Sequence, residues 1–120
     1  MERGTITIEN DTVIVKPAPD GSVWLTQSEI ARLFDVFVAA VSANIRAIYK
    51  SGALKDYETQ WNRSTPNGGF TELYNMEMIA ALAFRVRSHN SQVFRRWLTH
   101  RPQPKTVLIR IPEEGRTMLN

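Results

Sequence analysis

TQSEIARLFDVFVAAVSANIRAIYK, residues 26–50, is the segment that says most about the fold of this protein. It begins with TQSE, the Ser/Thr-x-x-Glu form of a helix capping box. Apolar residues then recur at helical spacing in two runs, separated by Asp35 and Val36, and Gly52 follows as a C-terminal cap. The residues expected to face inward are Ile30, Leu33, Phe34, Val38, Val41, Ile45 and Ile48. The segment therefore predicts a helix-turn-helix unit, in which two short helices are joined by a tight turn.

The flanking sequence predicts strands on both sides of this unit and helices after it. Residues 5–15 alternate polar and apolar around a polar turn at 9–11, which is typical of a β-hairpin. The other expected elements are a strand or extended lead-in at 22–25, a loop or hairpin tip at 64–69, a strand at 70–74, helices at 76–86 and 91–100, and a strand-like tail within 101–120. Residues 1–120 are thus expected to form one α+β, winged-helix-like domain with an N-terminal β-hairpin and two further helices.

The composition narrows the class of protein. A chain of 120 residues that is 42% hydrophobic has the length and composition of one globular domain. It contains no cysteine, which excludes disulfides and thiolate metal ligands. No apolar run approaches the roughly 20 residues of a membrane helix, and the N-terminus lacks the apolar stretch of a signal peptide. These features predict a cytoplasmic protein that is not associated with a membrane.

The net charge of +3 hides an alternation along the chain. Residues 1–35 hold three basic and six acidic residues, whereas 36–55 hold three basic residues and no acid. Residues 56–77 are again acidic, and 78–112 hold seven basic residues and no acid. Acid-free basic segments of this kind suit a surface that binds a polyanion, although arginines on the solvated backs of helices give the same pattern.

The outer face of the second predicted helix is the candidate reading surface for DNA, because the second helix of such a unit enters the major groove. Base reading normally relies on Arg, Lys, Asn or Gln, but this face is rich in alanine, which offers only contact with thymine methyl groups. The candidate DNA-binding residues on and around the unit are Gln27, Phe37, Ala39, Ala40, Ser42, Ala43, Asn44, Arg46 and Lys50. An ordinary helical hairpin that packs against another helix remains the alternative interpretation of the same pattern.

Two motifs resemble the RhuM virulence-associated family. The first is VWLTQ at 23–27 through IYK at 48–50, followed by Leu54, and the second is YNMEMI at 74–79 followed by RVRS at 85–88 and QVFRRW at 92–97. The second motif is also similar, more distantly, to phage BRO-N domains. The resemblance covers about residues 13–100. It implies a DNA-binding or regulatory protein of a bacterial genomic island or mobile element, whose partner is double-stranded DNA.

The sequence departs from the family pattern within the helix-turn-helix. The family usually has glycine in the turn where Asp35 stands, serine at the position of Phe37, and polar residues at Ala39, Ala40 and often Ala43. Asp tolerates a left-handed backbone better than most residues, so the turn is expected to persist. Phe37 is expected either to wedge against the wing or first helix, or to mark a protein interface.

The leading hypothesis is a transcriptional regulator or accessory factor that binds duplex DNA. Four further arginines, which lie outside the helix-turn-helix unit, are expected to contact phosphates. These are Arg85, Arg87, Arg95 and Arg96, of which Arg95 and Arg96 are predicted on the outward face of the last helix. The alternative is a protein-protein interaction module, or a homodimer, that keeps the fold without specific base reading.

Catalytic chemistry is not indicated. His89 and His100 lack partners at metal-binding or catalytic spacing, and no glycine-rich phosphate loop or nucleophile motif is present. The sequence therefore predicts no enzyme activity, no cofactor and no metal site.

Overall fold

A computed structural model of the chain describes residues 3–100, which form an α+β fold. The predicted strand-like tail at 101–120 lies outside the described residues. The elements in chain order are β1 (Thr5–Glu9), β2 (Thr12–Lys16), α1 (Gln27–Phe34), α2 (Val38–Ser51), α3 (Asp56–Thr59), β3 (Gln60–Ser64), β4 (Phe70–Tyr74), α4 (Met76–Ala83) and α5 (His89–His100). The predicted α+β class is therefore confirmed.

The N-terminal hairpin forms as predicted. β1 and β2 pair antiparallel, with Thr5 opposite Lys16 and Glu9 opposite Thr12. Both turn residues have positive φ, 51° at Asn10 and 61° at Asp11. Such values define the type I′ geometry, whose twist matches that of the paired strands, and Asn and Asp adopt it at lower cost than most residues.

Helices α1 and α2 begin and end close to the predicted positions because their terminal signals are local. Both halves of the predicted capping box are present at the start of α1. Asp35 follows α1 in the left-handed conformation, at φ 57° and ψ 50°, as expected for the residue that replaces glycine there. Gly52, at φ 79°, ends α2 and donates its N–H to the carbonyl of Tyr49. Val41, Ile45 and Ile48 face the core.

A second hairpin follows α2, and only its outgoing strand was predicted. β3 pairs antiparallel with β4 from Gln60 opposite Tyr74 to Ser64 opposite Phe70. Of the strand or extended lead-in predicted at 22–25, the structure has the lead-in, with a single bridge in which Leu25 and Tyr74 exchange backbone hydrogen bonds of 3.0 and 2.8 Å. The bridge places the segment before α1 against the second hairpin.

Helices α4 and α5 complete the core, and both differ from the predicted bounds. α4 ends at Ala83 rather than at residue 86, since Phe84 and Arg85 form a turn, and the Ala83 carbonyl accepts a hydrogen bond from Arg95. α5 begins two residues early, at His89. Phe34 and Phe94 meet edge to face at 5.5 Å between ring centroids, and both are fully buried. This contact packs α1 against α5. The outer face of α2 remains exposed.

Candidate functional site

One exposed stripe runs along α2. Ala39, Ala43, Arg46 and Lys50 are all exposed, at spacings of four, three and four residues that place them on one side of a helix. The helix contains no acidic residue. The stripe therefore has methyl groups in the N-terminal half of the helix and cations in the C-terminal half.

The leading turn of α2 projects beyond the core. The exposed fraction falls from 85% at Phe37 to 43% at Val38 and 0% at Val41. The prediction that Val38 lies on the inner face is therefore wrong, because the first turn of α2 extends past the packed core, which begins at Val41. Phe37 does not wedge against the first helix or the hairpin either, since most of its ring is in solvent.

The backbone amides at the start of α2 have no side-chain acceptor. Phe37 occupies the N-cap position in the extended conformation, and it has no side-chain group that can accept a hydrogen bond. The first turn of the helix also has no acidic residue. The positive end of the helix dipole therefore has neither a side-chain cap nor an acidic residue within the first turn, and Asp35 lies two residues before the N-cap.

Arg85 and Arg87 flank this end of the helix. Arg85 Nε donates to Asn44 Oδ1 at 2.9 Å, and Asn44 Nδ2 donates to the Ala40 carbonyl at 2.8 Å. Asn44, predicted to contact DNA, thus positions the Arg85 guanidinium beside α2. A surface hollow of about 570 Å³ lies here, lined by Asp35, Val36, Phe37, Ala40, Asn44, Arg85, Val86 and Arg87. Asp35 and Val36 were not predicted as site residues, and their only sequence signal is their place in the turn.

The opposite side of α2 is hydrogen-bonded to the end of α3 and the start of the second hairpin. The Tyr49 hydroxyl lies 3.0 Å from Thr59 Oγ1 and donates to Gln60 Oε1 at 3.1 Å, and burial raises the pKa of Tyr49 above its usual value. Arg46 Nη1 donates to Ser42 Oγ at 2.8 Å one turn away, so these two predicted site residues are already paired with each other. The helix is thus held from both sides while its exposed stripe stays open.

Gln27 also has a partner within the fold. Its Nε2 donates to the Tyr74 hydroxyl at 3.1 Å, which in turn donates to Glu72 Oε1 at 3.0 Å. Burial raises the pKa of Tyr74 to about 12, so the hydroxyl keeps its proton at neutral pH. A side-chain amide has two N–H donors, so the second remains for the predicted phosphate contact.

Arg95 corrects the prediction of an outward-facing pair on α5. Its Nη1 donates to the Ala83 carbonyl at 2.6 Å, to the Val86 carbonyl at 3.3 Å and to Ser91 Oγ at 3.1 Å. The corner between α4 and α5 brings these acceptors over the side chain and half-buries it. Arg95 therefore holds the segment that carries Arg85 and Arg87, and it does not present its charge to a ligand.

Arg96 is exposed, as predicted, but it does not join the other cations. It lines a hollow with Asp11, Thr12, Val13, Val93, Trp97 and His100, beside the first hairpin, and none of these residues belongs to α2. Of the four arginines predicted to support the second helix, Arg85 and Arg87 flank it and Arg95 and Arg96 do not.

Comparison of the chain with protein-family models, curated proteins and solved structures gives no match. The RhuM resemblance therefore stays a prediction from the two motifs. Within residues 3–100, no helix has both the length and the apolar content that crossing a membrane requires. The same part of the chain has no group of three or more His, Asp and Glu side chains that could hold a metal ion.

Proposed function

We propose that this protein binds duplex DNA through a winged helix-turn-helix, as a transcriptional regulator or an accessory factor of a mobile element. In this proposal α1, the turn at Asp35 and α2 are the helix-turn-helix, and the β3–β4 hairpin is the wing. The order of elements supports it, since the wing follows the second helix after the short helix α3 and pairs through Tyr74 with Leu25 ahead of the first. α2 would enter the major groove with its N-terminal end leading.

The observation that carries the proposal is the placing of Arg85 against Asn44. It brings two cations from a different part of the chain, Arg85 and Arg87, beside the uncapped end of an acid-free helix. Helix N-termini and arginines are the groups that commonly contact DNA phosphates. Asp35 lines the same hollow and opposes a phosphate there, but the two arginines outnumber it.

The test is the salt dependence of binding to a fluorescent 20-bp duplex, measured by anisotropy for the wild type and for Arg85→Ala/Arg87→Ala. Each phosphate contact contributes about 0.9 to the slope of log K against log salt, so loss of both arginines should lower the slope by about 2. We expect at least a tenfold loss of affinity at low salt.

Arg96→Ala is the matched control, because it removes an exposed arginine away from α2 and should leave the slope within about 1 of the wild-type value. Arg95 is unsuitable, since its loss would disturb the segment that positions the other arginines. Thermal melting should show that both variants keep the wild-type fold. Absence of wild-type binding at the lowest salt, or equal losses in both variants, would overturn the proposal.

A second candidate function is a protein-protein interaction module or a homodimer. The observation that favours it is the exposed pair of Phe37 and Val38, since apolar side chains this exposed often mark interfaces. Sedimentation velocity over a range of concentrations tests the homodimer, and a Phe37→Ala variant that shifts a dimer to a monomer would support this candidate.

A further inference from the structure

The exposed side chains at the N-terminal end of α2 are apolar. Phe37, Val38 and Ala39 are exposed around this end, and Ala43 is exposed one turn further along the helix. The polar side chains of the second turn already have partners, since Ser42 accepts from Arg46, and Asn44 both accepts from Arg85 and donates to the Ala40 carbonyl. Asp35, in the turn before α2, adds one exposed acceptor. This end of the helix therefore offers a DNA groove few free side-chain hydrogen-bonding groups.

Such a surface has one complementary group in the major groove. Every base edge there presents hydrogen-bond donors or acceptors, and thymine adds a C5-methyl group that Ala and Phe side chains contact. Methyl side chains also keep α2 narrow. A helix with full side chains is about 10–12 Å across and nearly fills the groove, which is about 12 Å wide, so alanines let the helix lie closer to the bases.

We infer that α2 recognises duplex DNA through the C5-methyl groups of thymine, contacted by Phe37, Ala39 and Ala43. The inference rests on the proposed function and adds what the helix reads. Charge favours DNA over a protein as the occupant of this surface, because Arg85 and Arg87 line the hollow beside Phe37, and Arg46 and Lys50 continue the stripe of Ala39 and Ala43. The phosphates on either side of the groove would meet these cations.

The test compares two 20-bp duplexes of the same A·T sequence, one with thymine and one with deoxyuridine in its place. The two have the same charge and the same pattern of donors and acceptors, and they differ only in the methyl groups. We expect the deoxyuridine duplex to bind about fourfold more weakly for each methyl contacted, which corresponds to about 0.8 kcal/mol. Two or three contacts therefore predict a loss of at least tenfold.

Two variants separate this inference from the function on which it rests. Phe37→Ala removes an exposed ring, so it should fold normally, and it should reduce the thymine preference while leaving the salt slope unchanged. Arg85→Ala/Arg87→Ala should do the reverse, with a lower slope and an unchanged preference. These opposite effects of the two variants would assign methyl recognition and phosphate contact to different parts of the surface.

The negative outcomes are also distinct. Equal binding of the two duplexes with a normal salt slope would overturn methyl recognition and leave DNA binding intact. Absence of binding to either duplex at low salt would overturn the proposed function together with the inference. If Phe37→Ala converts a dimer to a monomer without changing the thymine preference, the surface is an interface between copies of the chain, and the inference is again overturned.

Discussion

Helices α1 and α2 are neighbours in the chain, yet their N-terminal ends are built in opposite ways. At α1, Thr26 Oγ1 accepts from the Glu29 amide at 3.1 Å, and Glu29 Oε1 accepts from the Thr26 amide at 2.8 Å and from Arg3 Nη1 at 2.7 Å. At α2, Phe37 stands in the same N-cap position and accepts nothing through its side chain. The first end has a side-chain acceptor for its amides, whereas at the second end only the Phe37 carbonyl accepts from the first turn, through the Ala40 amide at 3.0 Å. The two helices thus differ in whether a side chain caps their N-terminal amides.

The largest effect should come from breaking the first end. Thr26→Ala removes the side-chain acceptor of the capping box, and we expect it to lower the free energy of unfolding by about 1–2 kcal/mol. Urea denaturation measures the change. Ser28→Ala is the control, because Ser28 is exposed in the same helix and outside the capping box, so its effect should stay within about 0.5 kcal/mol. Equal losses in the two variants would contradict the capping role.

The second effect depends on pH. The hydrogen-bonded Arg3 guanidinium, helped by the Thr26 amide, lowers the pKa of Glu29 from 4.5 to about 2. Because the folded state holds the ionised form more strongly than the unfolded state, this stabilisation is complete above about pH 4.5 and is lost as the pH falls towards 2. Since the carboxylate is partly exposed, we expect Glu29→Gln to cost only about 1 kcal/mol at pH 7.

Urea unfolding of the wild type and Glu29→Gln at pH 7, 4 and 2.5 measures this dependence. The difference between them should shrink across the series, and Arg3→Met, which removes the partner of the carboxylate, should remove most of the same pH dependence. A difference that stays constant from pH 7 to 2.5 would show that the ion pair does not stabilise the fold.

The smallest effect should come from giving the second end a cap. Phe37 already has the backbone conformation of a capped position, at φ −71° and ψ 146°. We therefore expect Phe37→Ser to be about 0.5–1 kcal/mol more stable than Phe37→Ala, which loses the ring and gains no acceptor. Thermal or urea unfolding of the pair measures the gain. Equal stabilities would mean that the amides of α2 already have a partner.

The features that the sequence predicts correctly are those whose cause lies within a few residues. The capping box at Thr26, the left-handed Asp35 and the terminating Gly52 all act on the adjacent turn of backbone. Helix bounds at these positions therefore fall within a residue of the prediction. β3 was missed because its sequence, QWNRS, has too few apolar residues to show an alternation.

The candidate site was predicted only in part, because its key contacts join distant parts of the chain. Arg85 meets Asn44 across 41 residues, and no local pattern indicates that pairing. Arg95 occupies an outward position on a helical wheel of α5 alone. Its acceptors, the carbonyls of Ala83 and Val86, come within reach only when α4 stops early and the chain turns. Tertiary structure therefore separates four similar arginines into three different environments.

Under the proposed function, the exposed alanines of α2 also make the protein a candidate scaffold for altered sequence preference. Ala39 and Ala43 are exposed, and neither belongs to the buried core of the described residues. Longer residues that favour helices, such as glutamine or arginine, can replace them without disturbing the packing of Val41, Ile45 and Ile48. A library randomised at these two positions would vary the surface offered to a DNA duplex on a constant fold. Each new bidentate contact with a base would add about 1–3 kcal/mol of discrimination.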